Sequence, residues 1–240
     1  MKQLSKYLLV TSLLLSSLNM AKGQVLISLL LGDKLNSDGL EFGLEGGFNW
    51  SQVTGLETND YNRTFNLGFY FDIRIKDSWS LYTGTLVKAS MGVGNLTVND
   101  LVTVGSTPNP DPGSYDQEIR YFLVPLFLRY HFPNRIYVEA GPQLGLMHQA
   151  FVEFESSSDD PEIRIKDYNK EAINTFAFGL AAGIGYKLQP GPKGMSIGFS
   201  YHHGLSRVYE SIDSYNRGLF LKLNIPIGAG KVESESTSSH

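Results

Sequence analysis

The chain has 240 residues with 20 basic and 24 acidic side chains, no cysteine and a mean hydropathy of −0.13. The missing cysteines exclude disulfides, thiolate metal sites and a cysteine nucleophile. The acidic balance, a net charge of −4, argues against nucleic acid or anionic lipid being held through bulk charge.

Residues 1–23 read as a cleaved secretory signal peptide. Lys2 and Lys6 precede an apolar run from Tyr7 to Leu18, and Ala21-Lys22-Gly23 offers small residues at the cleavage site. That run falls short of the about 20 apolar residues a membrane helix needs. Removing Lys2, Lys6 and Lys22 leaves 17 basic against 24 acidic residues, a net −7. No later apolar run is long enough to span a membrane as a helix. A mature chain that spans one must therefore be a closed barrel, the other arrangement that satisfies every backbone polar group in lipid.

Residues 24–39 form an expected periplasmic segment ahead of the first strand. Within it, Gln24–Asn36 carries Val25, Leu26, Leu29 and Leu30 on one apolar face. Two readings stay open for that face, docking of a partner protein or packing beneath the barrel.

From residue 40 the hydropathy alternates with a period of two, which on a strand separates two faces. Leu40, Phe42, Leu44, Phe48 and Trp50 oppose Glu41, Gly43, Glu45 and Asn49. Phe65, Leu67, Phe69, Phe71, Ile73 and Ile75 oppose Asn66, Gly68, Tyr70, Asp72 and Arg74. A third run sets Trp79, Leu81, Thr83, Thr85, Val87 and Ala89 against Ser80, Tyr82, Gly84, Leu86, Lys88 and Ser90. The fourth, about Tyr121–His131, is less regular, and Pro125 predicts a bulge or local irregularity because it cannot donate to the ladder. Four further runs begin near Ile136, Phe178, Met195 and Gly218, which makes eight. Long polar connections at 51–64, 92–117, 149–172 and 207–216 alternate with short ones at 76–78, 133–134 and 189–194.

This pattern predicts an all-β chain: an eight-stranded antiparallel transmembrane β-barrel over residues 40–227, with four long extracellular loops and short periplasmic turns. Both termini fall on the periplasmic side, and residues 228–240 form a disordered tail rich in Ser and Glu. A soluble barrel of the lipocalin type would turn the apolar face inward. Two features favour the opposite sense. The bulky side chains share one face while Gly, Ala and Ser share the other, and a narrow eight-stranded lumen suits the small ones. Trp50, Trp79, Tyr130, Tyr186 and Tyr201 also lie on the apolar face near strand ends, as an aromatic girdle requires. The lumen then receives Glu41, Glu45, Asp72 and Glu139 with Arg74, Lys88, Arg129, Lys187 and Lys222, and these charges are expected to pair into a network.

The segment Ile119–Tyr130 (IRYFLVPLFLRY) resembles a strand of the outer-membrane β-barrel family common in Bacteroidetes, which includes PorT-like and OmpX-like small barrels. Tyr137–Leu146 (YVEAGPQLGL), Tyr201–Ser206 (YHHGLS) and Gly43–Ser51 (GLEGGFNWS) are similar to other segments of it. Two departures stand out. Val124 follows Leu123 where the family often has Glu, and the barrel ends in Ile225-Pro226-Ile227 instead of a terminal aromatic. The resemblance implies the outer membrane, the barrel fold and, through PorT-like members, a part in protein secretion or assembly.

Chemistry-bearing clusters are few. The glycines at Gly43, Gly46 and Gly47 and at Gly179, Gly183 and Gly185 sit within strands, so they are not phosphate loops. His202-His203 with Ser206 and Glu210 suggests a lipid-modifying set, yet four residues of strand separate His202 from Ser206 by roughly 13 Å. The acidic third loop, Glu153 to Glu171, either holds calcium or is a solvated loop balanced by Arg164, Lys166 and Lys170. The second loop, Asn95–Gln117 with Pro108, Pro110 and Pro112, is long enough to contact a partner and is equally consistent with disorder. The expectation is a non-catalytic barrel without cofactor or bound metal, an accessory or scaffolding subunit of an outer-membrane complex. A narrow solute pore and a lipid A-modifying enzyme are the alternatives. Its expected partners are outer-membrane lipid, lipopolysaccharide and other outer-membrane or periplasmic proteins, not nucleic acid.

Overall fold

The computed structural model describes residues 39–157, 164–189 and 194–227. The signal peptide, the segment bearing Val25, Leu26, Leu29 and Leu30, and the tail 228–240 lie outside the described residues.

Nine strands form among the described residues: β1 (Leu40–Val53), β2 (Asn62–Lys76), β3 (Trp79–Val93), β4 (Gly113–His131), β5 (Ile136–Ser156), β6 (Arg164–Tyr168), β7 (Phe176–Lys187), β8 (Ser196–Arg207) and β9 (Tyr215–Pro226). One short helix, α1 (Val98–Thr103), lies between β3 and β4. Every pairing is antiparallel, and β1 pairs with both β2 and β9, while β4 pairs with β5. Eight strands therefore close into a ring, and β6 pairs only with the far end of β5, outside it. Closure leaves the ring no free edge. The first and last described residues, Gly39 and Ile227, and the tight turns, such as Asp77-Ser78 between Lys76 and its partner Trp79, share one end of the barrel, the turn end. The long connections share the other, the loop end.

Along β1, β7 and β9, along β2 up to Arg74 and along β8 up to His203, the predicted faces hold. Leu44, Phe48, Phe69, Leu180, Phe199 and Leu223 are exposed on the outside, while Glu45, Asn49, Asp72, Ala181, His202 and Lys222 are buried inside. An apolar outside around a polar lumen is the sidedness of a barrel in lipid, which rejects the lipocalin arrangement.

Two bulges change this sidedness toward the loop end. In β3, Leu86 pairs with Leu123 but Ala89 with Tyr121, so Val87 and Lys88 together oppose Phe122. In β5, Met147 pairs with Tyr121 but Gln149 with Arg120, so His148 is the extra residue. A bulge inserts one residue and so exchanges the two faces beyond it. Past these points Ala89, Met91, Val93, Ala150, Val152 and Phe154 are buried, while Glu153 and Glu155 of β5 make ion pairs on the outer side. The barrel thus leaves its membrane-like section and continues with the apolar inside and polar outside of a barrel in water.

Three expectations are corrected here. Lys88 does not enter the lumen, because the bulge turns it outward over the Phe65 ring, 5.6 Å from its centroid. Pro125 causes no register shift: β4 keeps one register with β5 across it, and the shifts fall at Val87–Lys88 and His148. The stretches 92–117 and 149–172 are not wholly irregular, since they contain α1, the start of β4, the end of β5 and β6.

Candidate functional site

The lumen is filled in two layers. In the layer nearer the turn end, the fully buried Arg129 donates to Asp72 at 2.6 Å and to Glu139 at 2.7 Å. Its guanidinium lies between the rings of Tyr82 and Tyr137, 4.0 and 4.1 Å from their centroids. Lys222 donates to Glu139, and Tyr82 donates to Glu45. Tyr70 donates to Glu41 at 2.7 Å, and Lys187 stands 3.5 Å from the same carboxylate. Seven of the nine predicted lumen charges join this network, whereas Arg74 is exposed at the turn-end mouth and Lys88 is outside. Charge alone as a criterion missed Tyr70, Tyr82, Tyr137 and Asn224. Their inward parity was the available signal, and all four are buried. The Tyr137 ring fits only because two neighbours lack side chains: a Cβ on Gly185 would lie 2.1 Å from Tyr137 Cζ, and one on Gly198 2.5 Å from its hydroxyl.

Above this lies an apolar plug. Leu86, Met91, Ile119, Tyr121, Leu123, Met147 and Phe220 belong to one buried cluster that reaches into the loop connections through Leu101, Val104, Val208 and Tyr209. The space between the layers, bounded by Tyr82, Phe127, Phe220 and Lys222, has a volume of about 10 Å³. That is room for about one water. The turn-end mouth is wider, a cavity of about 330 Å³ lined by Glu41, Asp72, Arg74, His131 and Lys187.

The connections above the plug are bound into one cap. Asp100 is buried in α1, where Thr97 and Asp100 form a reciprocal capping box. The Asp100 carboxylate also accepts from Glu57 N at 2.7 Å and Thr58 N at 3.2 Å, which ties the first connection to the second. Asn169 donates to Gln117 at 2.7 Å and to the Val104 carbonyl at 2.9 Å. Tyr209 reaches the same Gln117 at 3.4 Å. Burial pushes the Tyr209 phenol up, so it stays protonated as a donor. Ser106 donates to Asp167 of β6 at 2.6 Å. Asp100→Ala removes the capping-box carboxylate and with it the acceptor of two further backbone amides, and is expected to cost about 1–2 kcal/mol of local stability. Limited proteolysis should then cut the 54–60 connection about 5- to 30-fold faster. An unchanged rate would mean that Asp100 does not hold the cap.

The five girdle aromatics face outward at two levels. Trp79, Tyr130 and Tyr186 lie near the turn end, where Trp79 packs edge-on against Tyr130 at 4.8 Å. Trp50 and Tyr201 lie toward the loop end, both opposite Leu219 on β9.

The profile of the family described as outer membrane protein beta-barrel domain matches residues 33–210. The chain belongs to this outer-membrane β-barrel family. It is a protein of the outer membrane. Among solved structures, Ail, the attachment invasion locus protein of Yersinia pestis, is 17% identical, with 78% of this chain and 98% of Ail covered and a TM-score of 0.39. That structure of Ail contains the heparin analogue sucrose octasulfate. Neisserial surface protein A is 8% identical, covering 78% of this chain and 99% of its own, with a TM-score of 0.36. OprG from Pseudomonas aeruginosa is 13% identical, covering 78% and 93%, with a TM-score of 0.34. The likeness is one of barrel architecture only. No curated protein matches the chain in sequence.

In this outer-membrane barrel the remaining candidates fall apart from one another. His202 is buried and its Nδ1 lies 3.0 Å from Gln143 Oε1, while Ser206 accepts from the Phe178 amide at 2.8 Å. The two share strand parity without being brought together. Of the third-loop carboxylates, Glu153 pairs with Lys166 at 3.2 Å and Glu155 with Arg164 at 3.1 Å. Asp159, Asp160 and Glu162 lie outside the described residues. Among the described residues no cluster of His, Asp and Glu is arranged to hold a metal ion.

Proposed function

We propose that this outer-membrane barrel is a non-conducting, non-catalytic docking platform, an accessory or scaffolding subunit of an outer-membrane assembly. The observation that carries the reading is the lumen, filled by the Arg129 network and again by the apolar plug. A barrel closed twice has its outer surfaces left to act with. The cap supports the same reading. Its connections are cross-tied, α1 presents Val98 and Val102, one turn apart and 62% and 71% exposed, and β6 presents Tyr168 at 63%. Exposed apolar side chains on an ordered frame suit recognition of another protein. The separation of His202 from Ser206 supports the non-catalytic part. We place the loop end outside the cell and both termini in the periplasm, the usual sense for long loops and short turns. The PorT-like resemblance of Ile119–Tyr130 directs the search for partners to secretion or outer-membrane protein assembly.

The reading has a direct test. The reconstituted mature protein should show no unitary current steps in a planar bilayer. In cells, photo-cross-linkers at Val98, Val102 and Tyr168 should give discrete protein adducts that a cross-linker at lipid-facing Leu180 does not. Current steps would return the pore reading to first place, and silent cross-linkers at all three cap positions would end the platform reading.

A further inference from the structure

Three cations stand on the outer wall of the barrel toward the loop end, each beside an aromatic ring. Arg63 of β2 lies 5.9 Å from the Trp50 ring centroid, Lys88 of β3 lies 5.6 Å from that of Phe65, and Arg217 of β9 lies 5.7 Å from that of Tyr215. They belong to one continuous patch, because the strand order is β9-β1-β2-β3. Trp50 pairs with Arg63 on one side, and Gln52, next on the same face of β1, pairs with Arg217 on the other. Phe48 packs edge-on against Phe65 at 5.4 Å and joins the two halves. The result is an aromatic slab of Trp50, Phe48 and Phe65 rimmed by three cations.

None of the three has a carboxylate partner among the described residues. Several outward cations of the cap are paired instead: Arg120 with Glu118, Arg207 with Asp213, and Lys166 with Glu153. Arg217 donates to the carbonyls of Gly204 at 2.7 Å and Asn216 at 3.0 Å, which fixes its guanidinium in place. The position along the wall is equally telling. Lys88 sits in the bulge where the face of β3 changes from lipid-like to water-like, the depth of lipid headgroups. A cation left without a protein carboxylate at that depth is costly unless an anion meets it. The anion of that layer is phosphate, and the slab beside it suits acyl chains.

We infer that Arg63, Lys88 and Arg217 hold the phosphates of an acylated, phosphorylated glycolipid headgroup, with its chains lying on Trp50, Phe48 and Phe65. Assignment to the outer leaflet rests on the loop end facing outward; binding of the purified lipid does not. The test uses the full mature protein in mild detergent, with native mass spectrometry of lipid retained after titration. Lipid A bearing both phosphates should be retained by the natural protein. A triple R63Q/K88Q/R217Q variant should retain it about 100-fold more weakly, about fivefold per cation. Circular dichroism of the variant should show unchanged strand content, which separates a lost site from a lost fold. Equal retention by the triple variant would overturn the site. So would equal retention of dephosphorylated lipid A. Displacement by millimolar inorganic phosphate, or equal retention of phosphatidylglycerol, would overturn the glycolipid assignment in favour of any phosphate or any anionic lipid.

Discussion

Arg129→Ala is expected to lower the stability of the barrel by about 3–5 kcal/mol, the usual cost of leaving buried charges without their partner. Arg129 is 2% exposed and bridges Asp72 and Glu139, which come from β2 and β5 on opposite sides of β4. After the substitution Glu139 keeps Lys222, but Asp72 loses its guanidinium and is left with a hydrogen bond from Ser80 and with His131 3.8 Å away. The same change removes the cation from between Tyr82 and Tyr137 and leaves a void where the guanidinium lay. Urea unfolding of the refolded protein in detergent, followed by tryptophan fluorescence, measures the loss. Asp72→Asn on the natural background and on Arg129→Ala completes a cycle that isolates the pair. If Arg129→Ala costs under about 1 kcal/mol, the charges are solvated and the lumen is wetter than its packing implies.

Phe220→Ala should cost a comparable amount, about 3–5 kcal/mol, through lost burial and the cavity left behind. Phe220 sits where the two lumen layers meet, packed in the plug and bordering the small space above Lys222. Its effect on conductance should nevertheless be nil, since the Arg129 network below still blocks the path. Thermal unfolding and bilayer recording on the same preparation read both quantities. A destabilised variant that passes current would show the apolar plug to be the only seal, and the charged layer would then be an aqueous vestibule.

The sequence was most informative wherever one rule held along a whole strand. Period two assigned Glu41, Glu45, Asp72, Glu139, Lys187 and Lys222 to the lumen, because an unbulged strand presents alternate residues to alternate faces. It placed Lys88 wrongly for the same reason, since nothing in the letters Val87-Lys88 announces an inserted residue. The bulge at His148 had a larger effect. Beyond it, Ala150, Val152 and Phe154 are buried and Glu153 and Glu155 are not, the phase of a barrel in water, with Phe151 also buried, against Tyr168 and Lys166. That phase is opposite to the one an apolar outside predicts, so alternation alone does not mark the stretch as a barrel strand. Pro125 shifts no register, but the β3–β4 ladder is unpaired at Val124 and Pro125, the local interruption expected of a residue that cannot donate.

By itself, then, the order of residues determined the eight strands of the ring, the barrel sense in lipid and most of the lumen charges, but not β6. Those follow from local alternation and from the need to satisfy the backbone in a membrane. Tertiary structure alone decided the rest. Which acid meets Arg129, how Asp100, Gln117 and Asn169 bind the connections into a cap, and which strands bring Arg63, Lys88 and Arg217 together all depend on strand order and register around a closed ring. Those are relations between residues tens of positions apart, and no local pattern encodes them.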